Sequence, residues 1–359
     1  MSKFTIIVAT LGLAAISAEA QNPNQLQSTF IHIPQASQRA VLIQRIAMTD
    51  VTVIYHRPVA GGRKVFGGIV PYGQVWRAGA NDNTTIEFST NVKVEGQPLA
   101  KGVYGLHMIP GENEWTIAFS NNSTSWGSFT YDEKEDALRV KVKPAATENH
   151  NVLTYDFDDL TDDSAALTLR WEKTAVPVRL SVDLKGTTLE SLHQQLRYVA
   201  QYTWEGLNDA ASWCLENKVN YDEAMKWVNQ SIGAEERFEN LETKSQLLRA
   251  QGHTDEADKI KARAIDKANA IQLYVYGRGL QREGKGADGL AIYRTAVKKF
   301  PDHWISHVAN ARVMVADKNF DGAAKEIRES IAMLKENPAQ AQALEGVLKR
   351  VENKEDINK

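Results

Sequence analysis

Between Tyr55 and Asn81 the chain reads YHRPVAGGRKVFGGIVPYGQVWRAGAN, a stretch in which arginines, tyrosines, a histidine, a tryptophan and an asparagine are packed between glycines. Arg57, Arg63 and Arg77 offer planar, permanently charged forks that suit a carboxylate or a phosphate. Such a run is too polar for a core strand and too aromatic for a flexible linker, so it reads as an ordered loop lining a pocket. The ligand-binding set expected from it is Tyr55, Arg57, Arg63, Trp76, Arg77 and Asn81, joined from farther along the chain by Glu87, Tyr104 and His107. Salt bridges to Asp82, Glu87 and the acidic run from Asp156 to Asp163 would explain the arginines without any ligand.

Trp76, Trp126, Tyr72 and Tyr104 could form an aromatic platform for a sugar ring, although aromatic residues in a sheet protein more often fill the core. Gly61-Gly62 and Gly67-Gly68 could bring backbone amides to an anion, but the lack of a G-K-[ST] run and of a strand-to-helix context argues against a nucleotide P-loop. For catalysis the candidates are His56 or His107 as acid or base, with the arginines stabilising charge. The same histidines with Glu87 could ligate zinc, but no spacing motif supports a metal site, and no cofactor is implied. His303 and His307 stand at i, i+4 on a helix, where packing explains them better. No G-x-S-x-G, H-E-x-x-H or cysteine nucleophile is present, and Cys214, the single cysteine, cannot form an intramolecular disulfide.

These side chains need a scaffold, and the pattern that follows is one of strands. Val51, Val53 and Tyr55 share one face of a predicted strand, Ile54 and His56 the other. Runs rich in strand formers recur at 84–89, 92–95, 103–109, 115–120, 138–143, 153–157, 166–172 and 178–184, separated by turn-forming clusters such as Glu95-Gly96-Gln97-Pro98. Short strands in such number, without helical pattern between them, predict two antiparallel sheets packed face to face, a β-sandwich or jelly roll. Leu167, Leu169 and Trp171 should face its core, and Thr168, Arg170 and Glu172 water. Pro177 marks an edge, and Lys141 and Lys143 a guarded outer strand.

Near Lys185 the apolar period changes to the helical value. Tyr221/Ala224, Thr254/Ala257, Asp288/Ala291 and Phe320/Ala323 recur at steps close to the roughly 34 residues of tetratricopeptide hairpins. Each pair follows a break that marks the turn between the two helices of a unit, and its alanine sits where the helices approach closely. Pro301 and Pro338 fall where second helices should stop. No unit carries the whole consensus. Such an array predicts either a concave protein-binding surface or a helical prop.

A chain of 359 residues exceeds what one core usually serves. Lys3, the apolar run from Phe4 to Ser17 and Ala18-Glu19-Ala20 before Gln21 read as an export signal cleaved after Ala20. The run is short for a stable membrane anchor. The expected organisation is a signal peptide over 1–20, an irregular segment over 21–39, a β-sandwich over 40–184 and an all-α tetratricopeptide-like domain over 185–359, in a periplasmic or secreted protein. A net charge of −3 gives no reason to expect nucleic acid or an anionic membrane as a partner.

The motifs Tyr55-His56-Arg57-Pro58, Gly62-Arg63, Val65-Phe66-Gly67-Gly68, Val70-Pro71-Tyr72-Gly73 and Val75-Trp76-Arg77-Ala78-Gly79-Ala80-Asn81 resemble the signature of the family known as DUF2911, exported bacterial domains of unknown function. The similarity continues through Leu99-Ala100-Lys101-Gly102-Val103-Tyr104, Trp115-Thr116-Ile117, Trp126-Gly127 and Leu169-Arg170-Trp171-Glu172, and covers about residues 26–183. It departs from the pattern at His56, where a small residue is usual, and at Ala78, where threonine is common. The resemblance implies a fold family and export, and carries no activity. Residue types then leave three readings. One is a binding protein whose sheet domain holds an anionic or sugar-like ligand while its repeats engage another protein. The others are a hydrolase using the same pocket, and an envelope component whose signature loop is a folding element.

Overall fold

A computed structural model describes residues 34–358; the predicted export signal and its cleavage site lie outside them, as does most of the segment 21–39. The chain divides into two units, the first ending at Ser191 and the second beginning at Leu192.

Among the described residues the first unit contains ten strands: β1 (Gln38–Ile46), β2 (Thr49–Arg57), β3 (Thr85–Phe88), β4 (Val92–Val94), β5 (Gln97–Leu99), β6 (Gly102–Ile109), β7 (Trp115–Ser120), β8 (Asp136–Val142), β9 (Ala145–Asp158) and β10 (Ser164–Val182). They form a six-stranded antiparallel sheet in the order β1-β2-β3-β6-β7-β8 and a four-stranded one in the order β5-β4-β10-β9. Alternation explains how the sheets close on each other. Val53, Ile86, Leu106 and Ile117 from the larger sheet share one core with Leu153, Tyr155, Leu167, Leu169 and Trp171 from the smaller. The β-sandwich expected from the sequence is the observed architecture.

Three details refine it. The strands predicted at 166–172 and 178–184 are one strand, β10, and Pro177 falls between its pairing with β9, over 166–175, and with β4, over 180–182. Neither ladder therefore needs the amide hydrogen that proline lacks. Thr168 is buried where solvent was expected, its hydroxyl bonded to the Asp158 carboxylate, which also pairs with Arg170. β8 is an outer strand, as its lysines suggested, with Lys141 exposed and paired to Glu114 at 2.7 Å.

The second unit stacks helical hairpins: α2 (Trp204–Glu216) with α3 (Tyr221–Ala234), α4 (Phe238–Ala250) with α5 (Thr254–Lys267), α6 (Ala270–Arg282) with α7 (Gly286–Lys299), and α8 (Trp304–Ala316) with α9 (Phe320–Met333). α1 (Leu184–Gln195) precedes them and α10 (Pro338–Glu352) packs on α9. The breaks noted in the sequence are the turns within hairpins. In the third hairpin the close-approach residue is Gly289, not Ala291: a Cβ at Gly289 would stand 2.7 Å from the Gly277 carbonyl oxygen, whereas Ala291 is exposed. Pro301 follows the end of α7, while Pro338 opens α10, where it lacks only an amide that no helical carbonyl requires. No helix among the described residues is long and apolar enough to cross a membrane.

Candidate functional site

Alternation along β2 sends Tyr55 and Arg57 to the core side of the six-stranded sheet and His56 to its outer side. Arg57 donates through Nε to the Leu153 carbonyl (3.1 Å) and through Nη2 to Thr154 Oγ1 (3.0 Å), tying β2 to β9. Arg63 donates to the carbonyls of Ala60 and Val59 inside its own turn. Asn81, at φ 58°, donates to Gln35 Oε1 and to the Ser37 carbonyl. The Tyr55 hydroxyl accepts from the Tyr155 amide, and the Tyr155 hydroxyl donates to the Ala78 carbonyl. Tyr104 is buried and donates to the Ala100 carbonyl.

The centre of the glycine-punctuated loop is an aromatic plug. Phe66 meets Trp115 edge-on at 4.7 Å and lies 6.0 and 6.1 Å from Trp76 and Trp171, which stack on each other. Trp76 donates its indole hydrogen to the Gly79 carbonyl. The amides of Gly67 and Gly68 donate to the carbonyls of Val70 and Val65, so they are not presented to an anion. Arg57, Trp76, Arg77 and Asn81 thus do not converge on one cavity: three of them bind the fold itself.

His56, Glu87 and His107 do share a face, the outer one. Glu87 is level with Thr52 and Val103, four residues along the strands from His56 and from His107, a separation of about 13 Å. That spacing is far beyond a shared ion, so the zinc set considered from the sequence does not assemble.

The same outer face carries the candidate site. Gly105, Ala118 and Ser120 leave a shallow bed there, and the segment Asn121–Glu135 lies across it. A Cβ at Gly105 would stand 2.4 Å from both the Asn122 carbonyl oxygen and Asn83 Nδ2, so only glycine admits the crossing segment. Beneath it His107 is 2% exposed, hydrogen-bonded through Nδ1 to Ser128 Oγ at 3.2 Å, with the Tyr131 ring 4.8 Å away. Burial pulls the His107 pKa down to about 4, which keeps the imidazole neutral near pH 7. Tyr131 donates to Asp136, whose carboxylate lies 3.3 Å from Arg139; burial holds the Asp136 carboxyl above its usual range. His56 is also held low, first by burial and then by Arg39 and Arg77 against the opposing pull of Asp82.

Arg77 is the one predicted arginine that reaches this face. Its guanidinium lies 5.6 Å from the ring centre of Trp126, and its Nε is buried with no hydrogen-bond partner among the described residues. Burial lowers its pKa, partly offset by Asp82. Trp126 stacks on Phe129 at 5.9 Å and 14°, yet the two are 61% and 80% exposed. Gly127 between them adopts φ 74°, and a Cβ there would stand 2.5 Å from Arg77 Nη1. The backbone therefore yields room for the cation under the aromatic pair. Of the residues gathered here, the sequence had singled out Arg77, Trp126 and His107, and had not singled out Phe129, Ser128, Tyr131 and Asp136. The available signal was the glycine between two aromatics in Ser125-Trp126-Gly127-Ser128-Phe129.

Residues 37–180, the sandwich almost entire, match the family model described as "Protein of unknown function (DUF2911)". No curated protein matches the chain.

Proposed function

We propose that the DUF2911 domain of this chain is a binding module for an acidic sugar, its ring lying on the Trp126–Phe129 pair and its carboxylate meeting Arg77. The observation that carries this reading is a guanidinium with a buried, unpartnered Nε beside two stacked aromatic rings left in solvent. A buried donor without an acceptor costs about 1–3 kcal/mol, so the fold leaves this guanidinium under-paired. Exposed stacked rings offer the flat apolar area that a pyranose face covers. The ligand class expected from the sequence is retained, while its seat moves from the glycine-rich loop to the segment over the outer face. In this reading the protein is exported by its N-terminal signal and its helical hairpins engage a protein partner.

Calorimetric titration with a glucuronate-containing oligosaccharide, its neutral glucose counterpart and inorganic phosphate tests it. The acidic sugar should bind best, and Arg77→Gln or Trp126→Ala should weaken it at least tenfold, about 1.4 kcal/mol, while the domain stays folded. Equal binding of the neutral sugar, or undiminished binding by both variants, would exclude it.

A hydrolase is the second reading, favoured by the Ser128 Oγ to His107 Nδ1 contact. It is the weaker one, because an imidazole held near 4 is a poor base at neutral pH. Turnover across an ester and glycoside panel, lost in His107→Ala, would reverse that ranking.

A further inference from the structure

The second and third hairpins of the helical unit share one packing scheme, and the fourth departs from it at a pair of positions and on the helical turn that follows; the first has Asn208 and Trp227 at that pair. The register is set by close approaches within each hairpin. Ser245 Oγ donates to the Ala257 carbonyl at 2.9 Å in the second, Gly277 faces Gly289 in the third, and the fully buried Ala311 and Ala323 hold the same positions in the fourth. Sixteen residues before Ala257 and Gly289 stand Leu241 and Leu273, each 0% exposed, and three residues after them stand Ile260 and Ile292. Leu273 and Ile292 belong to one apolar cluster. In the fourth hairpin those two positions are His307 and Glu326, and the next turn of α9 adds Glu329 where the second and third hairpins have Arg263 and Thr295.

These three side chains face one another. His307 Nδ1 is 2.7 Å from Glu326 Oε2 and 3.4 Å from Glu329 Oε2, and the three donor atoms all lie within 4.8 Å of one another. Lys325 approaches Glu329 only at 3.9 Å, so two carboxylates face one imidazole with little positive charge between them. One imidazole hydrogen can be donated to only one of these oxygens. Bonds of about 2.0–2.2 Å to a tetrahedral zinc place neighbouring donors roughly 3.4 Å apart. Glu329 already stands at that distance from His307, and Glu326 would need to withdraw by about 0.7 Å, within reach of a side-chain torsion. α8 and α9 are held by their own packing, with Ser330 Oγ donating to the Trp304 carbonyl at 2.9 Å, so the ligands are brought together without the ion.

We infer that His307, Glu326 and Glu329 form a divalent transition-metal site, suited to zinc, that clasps α8 to α9 where the second and third hairpins use an apolar pair. Solvent supplies the remaining ligand at Glu329, the most exposed of the three. His303 takes no part: its Nδ1 accepts from the Ile305 amide as the cap of α8.

The test uses the full chain, free of affinity tags and stripped with chelator, titrated with zinc chloride and with cobalt chloride as a spectroscopic probe. One equivalent should bind, with visible cobalt absorption of a four- or five-coordinate site and a raised unfolding temperature for the helical unit. The double variant His307→Leu/Glu326→Ile copies the pair of the third hairpin; it should keep wild-type helical content and bind at least tenfold more weakly. His303→Ala should bind as the wild type does. If the double variant fails to fold, Glu329→Gln, at the exposed rim, must show the loss instead. Absence of saturable one-equivalent binding, or full binding by a folded double variant or by Glu329→Gln, overturns the assignment.

Discussion

Two segments of the sandwich are alike in composition and opposite in use. Both the Tyr55–Asn81 stretch, with six glycines, and the Asn121–Glu135 stretch, with one, hold aromatic and charged residues. In the first, Phe66 is enclosed by Trp76, Trp115 and Trp171, and Arg57 and Arg63 donate to backbone carbonyls. In the second, Trp126 and Phe129 stay in solvent above a guanidinium whose Nε has no hydrogen-bond partner among the described residues. Density of functional side chains therefore does not mark a site. The proposed site rests instead on polar and aromatic surface that the fold leaves unused.

The contrast can be broken, most severely at the plug. Phe66→Ala should lower the stability of the β-sandwich by about 3–5 kcal/mol in urea unfolding followed by tryptophan fluorescence. A loss below about 1 kcal/mol would mean that the loop is not a folding element.

Acid comes next. The His107 pKa is depressed in the folded state, so its stabilising contribution is complete above the unfolded value of about 6.5 and is lost as pH falls toward 4. Stability should drop by about 3 kcal/mol across that window, and His56, shifted the same way, adds to the slope. His107→Gln should flatten it; an unchanged slope would place the acid sensitivity elsewhere.

Smaller effects sharpen the division between the two segments. Gly127→Ala meets both a left-handed backbone and the Arg77 guanidinium and should cost about 1–2 kcal/mol in urea unfolding, with weaker ligand binding. Arg57→Ala should cost a similar or slightly smaller amount, about 1 kcal/mol, by severing the tie from β2 to β9, and should leave affinity untouched. Trp126→Ala should change stability by less than about 0.5 kcal/mol, because the ring is mostly in water. An Arg57 variant that binds poorly, or a Trp126 variant that unfolds, would erase the distinction.

Much of the scaffold was readable before any coordinates. Alternation put Val51, Val53 and Tyr55 on one face of a strand and Ile54 and His56 on the other, and β2 has that division, because side chains on a strand must alternate. The breaks at Lys218-Val219-Asn220 and Lys318-Asn319 located hairpin turns. The third unit was set two residues out of register, since an exposed alanine resembles a packed one in sequence and only the proximity of Gly289 to Gly277 distinguishes them. That register is also what reveals His307 and Glu326 as replacements for a leucine and an isoleucine.

The chain alone determined strand faces, helical repeats and the supply of arginine and aromatic groups, all consequences of local periodicity and residue chemistry. Whether a given arginine or tryptophan would be enclosed or left open was decided by tertiary structure. Partners such as Leu153, Thr154 and Trp171 arrive from nearly a hundred residues away along the chain, and nothing local announces them.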